Sequence, residues 1–368
     1  MTVIGLQKKS RSKALAQKLA LASMITALVL VQIACGGSSG SNNSASTPPP
    51  PPGPTVFGSY DLTGAITPVL DPSIMRQGST YYVFSSDAAG FPTNGSLPIL
   101  CSNDRVAWTA CSFVFAKIPN WVEEQVPGLI GLSDPDISYF NGLYHLYYAG
   151  YSFGWNTSVI GLATNTTLDP TDPNYQWVDQ GKVLGSLSTD DFNAIDPNIL
   201  VDTDGSVWLT YGSDWSGIKQ AEINPATGFL SASNPTVYSL AFRPAVQNDP
   251  IEAASLVHKG NYYYLFVSFD NCCELDPYRD TYRIMVGRGT TPQGPFADMK
   301  GIDMMQGGGT QLLAGNAISF NGPGSQTAYL DSQDGDLIVF HAIQLPLGNP
   351  YLFVNSLTWP NGWPQIQP

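Results

Sequence analysis

The sequence predicts an all-β fold, a five-bladed β-propeller, on two observations. First, a unit made of an apolar strand, a Gly-containing turn and a Tyr- or Trp-rich strand recurs along the chain. Its four clear copies begin at Asp71, Asp134, Asp196 and Glu252, and a weaker fifth begins at Gly322. Second, the 36 Gly and 29 Pro are spread evenly and helical periodicity is hard to find. Hairpins that repeat every 60 residues or so are typical of propeller blades, each a four-stranded sheet around a central axis.

The first 34 residues have the pattern of a targeting segment and are set apart from the fold. Five basic residues between Lys8 and Lys18 precede an apolar run over 19–34, which is short for a membrane span of about 20 residues. Small Ala34 stands directly before Cys35, and this junction resembles the lipobox of bacterial lipoproteins. The resemblance implies a signal peptide over 1–34, a lipid on Cys35 and a place in the bacterial cell envelope, on the periplasmic or cell-surface side. An ordinary signal peptide and an uncleaved anchor are the alternatives.

Residues 35–54 predict a tether. Gly and Ser make its first part flexible, and its proline run is stiff and extended. No second low-complexity stretch divides residues 55–368, so a single large domain is expected there, as a monomer.

The charge of this domain excludes some partners. Five of the 16 Lys and Arg lie in the targeting segment, while all 29 Asp and Glu follow it, which leaves a net charge of −18. Such a surface repels nucleic acid and anionic substrates and favours a neutral or cationic ligand.

Four cysteines remain in the domain, and an exported protein meets oxidising conditions, so disulfides are expected. Cys101 and Cys111 are ten residues apart across a predicted turn and form the favoured pair. Cys272 and Cys273 are then a vicinal pair, bridged or reduced. Zinc binding by these cysteines is the competing interpretation. The sequence lacks CxxC spacing and nearby histidines, and both absences argue against it.

The repeated strand starts predict a ring of carboxylates. The innermost strand of each blade lines the channel, so Asp71, Asp134, Asp196 and Glu252 should meet at one mouth of it. Clustered carboxylates raise each other's pKa values, which makes the arrangement energetically unfavourable. Such a cluster therefore suggests a functional site. Two carboxyls in a pocket framed by aromatic side chains suit glycoside hydrolysis, in which one donates a proton and the other activates water. The alternative is that Asp-Pro merely caps strands.

The stretches "DPSI" (71–74), "FGWNTSVIGLATNTTLDP" (153–170), "NAIDPNI" (193–199), "GSDWSGI" (212–218), "IEA" (251–253) and "GPG" (322–324) resemble glycoside hydrolase family 43, most of all its endo-α-1,5-L-arabinanases. The resemblance spans about 60 to 365. It implies an inverting mechanism with Asp71 as general base, Glu252 as general acid, and Asp196 raising the pKa of Glu252 and holding it. Inversion requires the two carboxyls of Asp71 and Glu252 to lie about 6.5–9.5 Å apart.

The same resemblance suggests the residues that contact sugar: Trp155 and Asn156 from "FGWNTS", and Ser213 and Trp215 from "GSDWSG". Packing between blades is an equal alternative for Trp215. The chain departs from the family where "SDPD" replaces "WAPD", which adds Asp134, a candidate for a sugar hydroxyl or a cation. It departs again at Ser325, where the family has a histidine that helps to hold an axial calcium. Calcium is therefore left open, with no metal ligand assigned.

Three functions follow as hypotheses. The main one is a hydrolase of α-1,5-linked L-arabinan from plants, with a neutral polysaccharide or oligosaccharide as substrate and a lipid anchor as its contact with the membrane. The second is an exo-acting α-L-arabinofuranosidase or β-xylosidase on the same fold. The third is a glycan-binding lipoprotein without activity, which would have been free to lose Asp71, Asp196 and Glu252.

Overall fold

The computed structural model describes residues 61–87, 94–247, 250–273 and 276–367. The predicted signal peptide (1–34), Cys35 and the predicted tether (35–54) lie outside the described residues. The described residues belong to one compact unit. Among them, no helix has the length and apolar character that crossing a membrane requires.

Among the described residues, five mainly antiparallel sheets succeed one another, and each is built from consecutive strands. Blade 1 has β1 (Thr63–Gly64), β2 (Ser73–Gln77), β3 (Thr80–Phe84), β4 (Ser96–Ser102) and β5 (Ala107–Phe115), with β1 added in parallel to β5. Blade 2 has β6 (Leu132–Phe140), β7 (Leu143–Tyr151), β8 (Ser158–Asn165) and β9 (Val178–Ser186). Blade 3 has β10 (Asn198–Val201), β11 (Val207–Tyr211), β12 (Ile218–Asn224), β13 (Phe229–Leu230) and β14 (Val237–Ala241), the last two both pairing with β12.

Blades 4 and 5 complete the order. Blade 4 has β15 (Ile251–Lys259), β16 (Tyr262–Phe269), β17 (Arg283–Gly289) and β18 (Thr310–Ala314). Blade 5 has β19 (Phe320–Tyr329), β20 (Leu337–Gln344), β21 (Asn349–Thr358) and β22 (Gln365–Gln367). In the described part of the chain, one short helix, α1 (Asn120–Gln125), and three 3-10 helices lie in the connections, the latter at Pro277–Arg279, Met304–Gln306 and Pro360–Gly362. The predicted five-bladed β-propeller is confirmed.

The strands β2, β6, β10, β15 and β19 contact one another in a closed cycle and form the inner wall. Each inner strand has a residue in the left-handed backbone region just before it or within it, with φ between 46° and 53°: Asp71, Asp134, Asp196, Ala253 and Ser325. Non-glycine residues seldom adopt this conformation. Its recurrence once per blade identifies these five positions as equivalent.

Two residues beyond each of these positions, a polar side chain binds the next blade. Asp136 Oδ2 accepts a hydrogen bond from the backbone N–H of Ile199 at 2.8 Å, and Asn198 Oδ1 accepts one from Leu256 at 2.8 Å. Ser73, Ser255 and Thr327 make the equivalent contacts, with Ile137, Ala328 and Pro72 respectively. These bonds satisfy buried backbone groups and fix the rotation of each blade against its neighbour.

Apolar side chains fill the interfaces between blades. Phe84 and Leu97 of blade 1 pack with Leu146 and Tyr148 of blade 2 in one buried cluster. On the other side of blade 1, Val83 and Trp108 pack with Val339 and Leu352 of blade 5. Burial of one such side chain is worth about 1.5–3 kcal/mol, so the ring is held mainly by these interfaces.

Within the described residues, the ring closes between blades 1 and 5 without the exchange of a strand. The segment before β2 contacts blade 5, where the N–H of Leu352 donates to the carbonyl of Ile66 at 2.9 Å. The hydroxyl of Thr67 donates to the carbonyl of Pro350 at 2.9 Å.

Cys101 is bonded to Cys111 across β4 and β5, and Cys272 to Cys273 after β16. The favoured pairing of the cysteines is confirmed.

Candidate active site

A cavity of about 460 Å³ opens at the end of the channel where the inner strands begin. The carboxyl groups of Asp71, Asp134, Asp196 and Glu252 all line it. A narrower part of the channel, about 30 Å³, continues below the first three of these and Ser325. The structure thus brings together the four carboxyl residues that the repeat predicts.

The sequence alignment of the fourth copy is wrong by one residue. Ala253, and not Glu252, occupies the left-handed position that Asp71, Asp134 and Asp196 occupy in their blades. Glu252 therefore stands one residue earlier, ahead of a shift in register between β15 and β16. An irregularity of this kind re-aims a side chain, so Glu252 enters the pocket from a different direction than the aspartates.

Asp71 is held by two neighbouring groups. The hydroxyl of Ser86 donates to Asp71 Oδ2 at 2.5 Å, and the backbone N–H of Asp71 donates to Nδ1 of His341 at 3.2 Å. Burial lowers the pKa of His341, although the charge of Asp71 opposes this. The ring is therefore neutral near pH 7, and because Nδ1 accepts a hydrogen bond, its proton is on Nε2.

Glu252 is held from two sides as well. Ser213 Oγ donates to Glu252 Oε2 at 2.7 Å, and the hydroxyl of Tyr282 lies close to the same carboxyl. Burial raises the pKa of Glu252, the hydroxyls of Ser213 and Tyr282 lower it, and the charge of Asp71 raises it. The net direction is upwards, which suits a group that must carry a proton to donate.

Asp196 accepts a hydrogen bond at Oδ2 from the backbone N–H of Ala253 at 2.9 Å. Its pKa is raised well above the ordinary value, first by burial and then by the charges of Asp134 and Glu252. Because Asp196 and Glu252 are coupled, ionisation of either one raises the pKa of the other. Asp134 behaves alike: burial, and then Asp71 and Glu252, raise its pKa. The cluster therefore keeps protons at a pH at which isolated carboxyls have lost them.

Aromatic side chains surround the carboxyls. Phe153, Trp155 and Trp215 line the cavity and remain 75%, 63% and 40% exposed. The loop that carries Trp215 is tied to the strand of Glu252, since the N–H of Asp214 donates to the carbonyl of Ile251 at 2.8 Å. Exposed rings beside carboxyls offer apolar faces to a sugar and edges for its hydroxyls.

Two residues predicted to contact sugar are placed differently. Asn156 is only 4% exposed and does not line the cavity, because its side-chain N–H groups donate to the carbonyls of Asp190 and Phe192 at 2.8 and 3.1 Å. Its amide fixes the loop beside Trp155, so the prediction for Asn156 is corrected. Ser213 lines the cavity, but its hydroxyl is engaged with Glu252.

Four residues that sequence reasoning did not single out complete the site: Ser86, Tyr151, Tyr282 and His341. Tyr282 reaches the channel past Gly324, where a Cβ would overlap its ring. His341 is fully buried in the apolar run "LIVFHAIQ" of β20, and a lone polar residue in such a run is a signal that could have been used.

The residues at the channel mouth do not fit the calcium site that the resemblance implies. Ser325 Oγ lies 3.3 Å from the hydroxyl of Tyr282 and brings no imidazole. Within the described part of the chain, the ring carboxylates do not form a group of three ligand atoms within 4.8 Å of one another. A calcium ion takes six to eight oxygen ligands at about 2.3–2.6 Å, so no step is assigned to this metal.

A five-bladed propeller with paired carboxyls in an aromatic pocket has the architecture of a glycosidase. Residues 66–364 match the family "Glycosyl hydrolases family 43". The chain is 39% identical over 297 residues to extracellular endo-α-(1→5)-L-arabinanase 1 of Bacillus subtilis (strain 168), covering 80% of this chain and 86% of that protein. It is 38% identical over 313 residues to extracellular exo-α-(1→5)-L-arabinofuranosidase ArbA of Cellvibrio japonicus (strain Ueda107), covering 81% and 86%.

Among solved structures, the family 43 endo-arabinanase from Bacillus licheniformis is similar with a TM-score of 0.74 and 40% identity, over 83% of this chain and 99% of that one. The chain belongs to glycosyl hydrolase family 43. It is a glycosidase, as the sequence predicts.

Proposed function

We propose that this protein hydrolyses α-1,5-linked L-arabinan with inversion of configuration, in the pocket formed by Asp71, Asp196 and Glu252. The observation that supports this most is the pair of differently held carboxyls, Asp71 bonded by Ser86 and Glu252 bonded by Ser213. Two carboxyls with different surroundings can take the two roles that hydrolysis needs.

In the proposed reaction, Glu252 donates its proton to the oxygen of the leaving sugar as the glycosidic bond breaks. Asp71 accepts a proton from a water molecule, which attacks the anomeric carbon from the opposite face. Glu252 ends ionised and Asp71 protonated, and exchange with solvent restores both. Asp196 touches neither reacting oxygen in this scheme. It acts as a positioning residue, and its ionised form raises the pKa of Glu252.

The substrate is held by the exposed rings of Phe153, Trp155 and Trp215, while Asp134 accepts from or donates to a sugar hydroxyl at the cluster. The negative charge of the domain is compatible with a neutral polysaccharide. We further propose that the domain acts as a monomer in the bacterial cell envelope, attached by a lipid on Cys35 through the Gly-, Ser- and Pro-rich segment 35–54.

Exo-action is a second candidate, because identity to the exo-acting relative is almost equal to that of the endo-acting one. The test is to incubate the protein with linear arabinan, branched arabinan and xylan and to follow product sizes. Endo-action on arabinan yields oligosaccharides of mixed length early, whereas exo-action yields one short product throughout. Release of sugar from xylan alone would contradict the proposed substrate.

A further inference from the structure

Cys272, Cys273 and His341 form a cluster of metal-binding side chains in the wall of the pocket. Sγ of Cys272 lies 3.6 Å from Nε2 of His341, and one ligand atom from each of the three lies within 4.8 Å of the others. Among the residues that the structure describes, no other three or more His, Cys, Asp or Glu side chains converge in this way.

The spacing of this cluster suits zinc. Tetrahedral zinc with bonds of about 2.3 Å to sulfur and about 2.0–2.1 Å to nitrogen places those two ligand atoms about 3.6 Å apart. That is the separation of Cys272 Sγ from His341 Nε2. Two thiolates on one zinc would be about 3.7 Å apart. The bond between the sulfurs of Cys272 and Cys273 prevents this and removes both thiolates.

We propose that reduction of the Cys272–Cys273 disulfide creates a binding site for one thiophilic divalent cation, zinc in the first instance. A dithiol reductant breaks the S–S bond, becomes a disulfide itself and gives two protons to the cysteine sulfurs. Zinc then displaces these protons to solvent and binds two thiolates and the imidazole. Three protein ligands leave the fourth position to water from the cavity, since Cys272 and Cys273 both line it.

Both reagents can reach the cluster. Cys273 is exposed and Cys272 partly exposed, while His341 is buried behind them. The second disulfide, Cys101–Cys111, lies in blade 1, and neither of its cysteines takes part in such a group among the described residues. It therefore offers a matched control in the same chain.

A metal bound at Cys272, Cys273 and His341 would affect Asp71, the general base of the proposed reaction. His341 now accepts the backbone N–H of Asp71 at Nδ1, so its proton is on Nε2 and faces sulfur. A metal on Nε2 requires the proton to move to Nδ1. The bond from the N–H of Asp71 is then lost, and Nδ1–H faces the Asp71 carboxylate, whose Oδ1 lies 3.5 Å away. Zinc binding thus changes the hydrogen bonding between His341 and Asp71.

The test measures zinc binding to the full chain before and after reduction, with the reductant removed by gel filtration under argon. The reduced protein should bind one more zinc per chain than the oxidised protein. Cys272→Ser/Cys273→Ser should lose that difference, and Cys101→Ser/Cys111→Ser should keep it. Thermal unfolding establishes that each form is folded. The single variant Cys273→Ser, at an exposed position, replaces the double variant if that one does not fold.

No difference in zinc between the oxidised and reduced chains would overturn the proposal, as would zinc binding that survives in the Cys272 and Cys273 variants. These arms use no substrate and do not depend on the proposed function. The coupling to Asp71 rests on the proposed function and has its own arm. Equimolar zinc should remove most arabinan hydrolysis from the reduced parent only, and a chelator should restore it. Binding without any loss of hydrolysis would overturn the coupling.

Discussion

Ser213 donates a hydrogen bond to Glu252 across 2.7 Å, from a loop of blade 3 to the first strand of blade 4. The hydroxyl stabilises the ionised carboxyl, while burial and the neighbouring carboxylates stabilise the protonated one. The protonation state of Glu252 thus depends on groups with opposite effects, and individual side chains among them can be removed by mutation.

Glu252→Gln removes the proton donor while keeping the shape of the side chain. Turnover of arabino-oligosaccharides should fall by about 10²–10⁴-fold, the usual contribution of general acid catalysis. An aryl arabinoside with a good leaving group needs no protonation and should lose much less. Equal losses for the two substrates, measured as kcat, would count against Glu252 as the acid.

Asp196→Asn removes an ionisable carboxyl that is coupled to Glu252 and keeps an acceptor for the N–H of Ala253. The pKa of Glu252 should fall, so the alkaline limb of the pH–rate profile should move to lower pH, with a large fall in rate at neutral pH. Thermal stability should change little, because a repulsion between carboxylates is relieved. An unchanged profile with reduced stability would mean that Asp196 only caps its strand.

Ser213→Ala should shift the pKa of Glu252 in the opposite direction. Loss of its hydrogen bond to the carboxylate should raise the pKa of Glu252 and move the alkaline limb to higher pH. If the alkaline limb of the pH–rate profile is unchanged in Ser213→Ala and KM is raised instead, Ser213 has the sugar-contact role that the sequence suggests.

The fold and the carboxyl cluster could be predicted from the sequence because both repeat: one strand start per blade places Asp71, Asp134 and Asp196 in one ring. The position of Glu252 could not be read correctly, since the shift in register after it has no signature in the letters. Asn156 was misjudged because its partners, the carbonyls of Asp190 and Phe192, are fixed only by tertiary structure. The place of Tyr282 is likewise fixed only by tertiary structure, whereas His341 carries a signal in the sequence, a lone polar residue in an apolar strand.

Chelation addresses the metal at the channel mouth. Ser325 brings no imidazole, so removal of divalent cations with EDTA should leave most activity on linear arabinan. Metal content measured alongside activity makes the result specific. A complete loss that calcium reverses would show that another group, with Asp134 the first to be mutated, supplies the missing ligand.

Asp136, between blades 2 and 3, predicts a pH dependence of stability. Burial raises its pKa to about 7, above the ordinary value of about 3.9, while bonds from Ile199 and Asn198 oppose this. A raised folded-state pKa stabilises the protein at low pH, and this stabilisation is lost as pH rises through about 7.

The melting temperature should therefore be lower at about pH 8 than at about pH 6. Asp136→Asn should shrink that difference, although its own melting temperature is lower because the amide offers one acceptor where the carboxyl offers two. Asp61→Asn, the same change at an exposed position, serves as the control and should leave the difference intact. A pH difference that persists fully in Asp136→Asn would assign it to other groups.

The central claim, that Asp71 and Glu252 hydrolyse arabinan through direct attack by water, is tested most directly by proton NMR during the first minutes of hydrolysis of linear α-1,5-arabinan. The β-anomer should appear first at the new reducing ends and then equilibrate with the α-anomer, and Glu252→Gln should show almost no new ends. First appearance of the α-anomer, or equal release of ends by Glu252→Gln, would contradict the account.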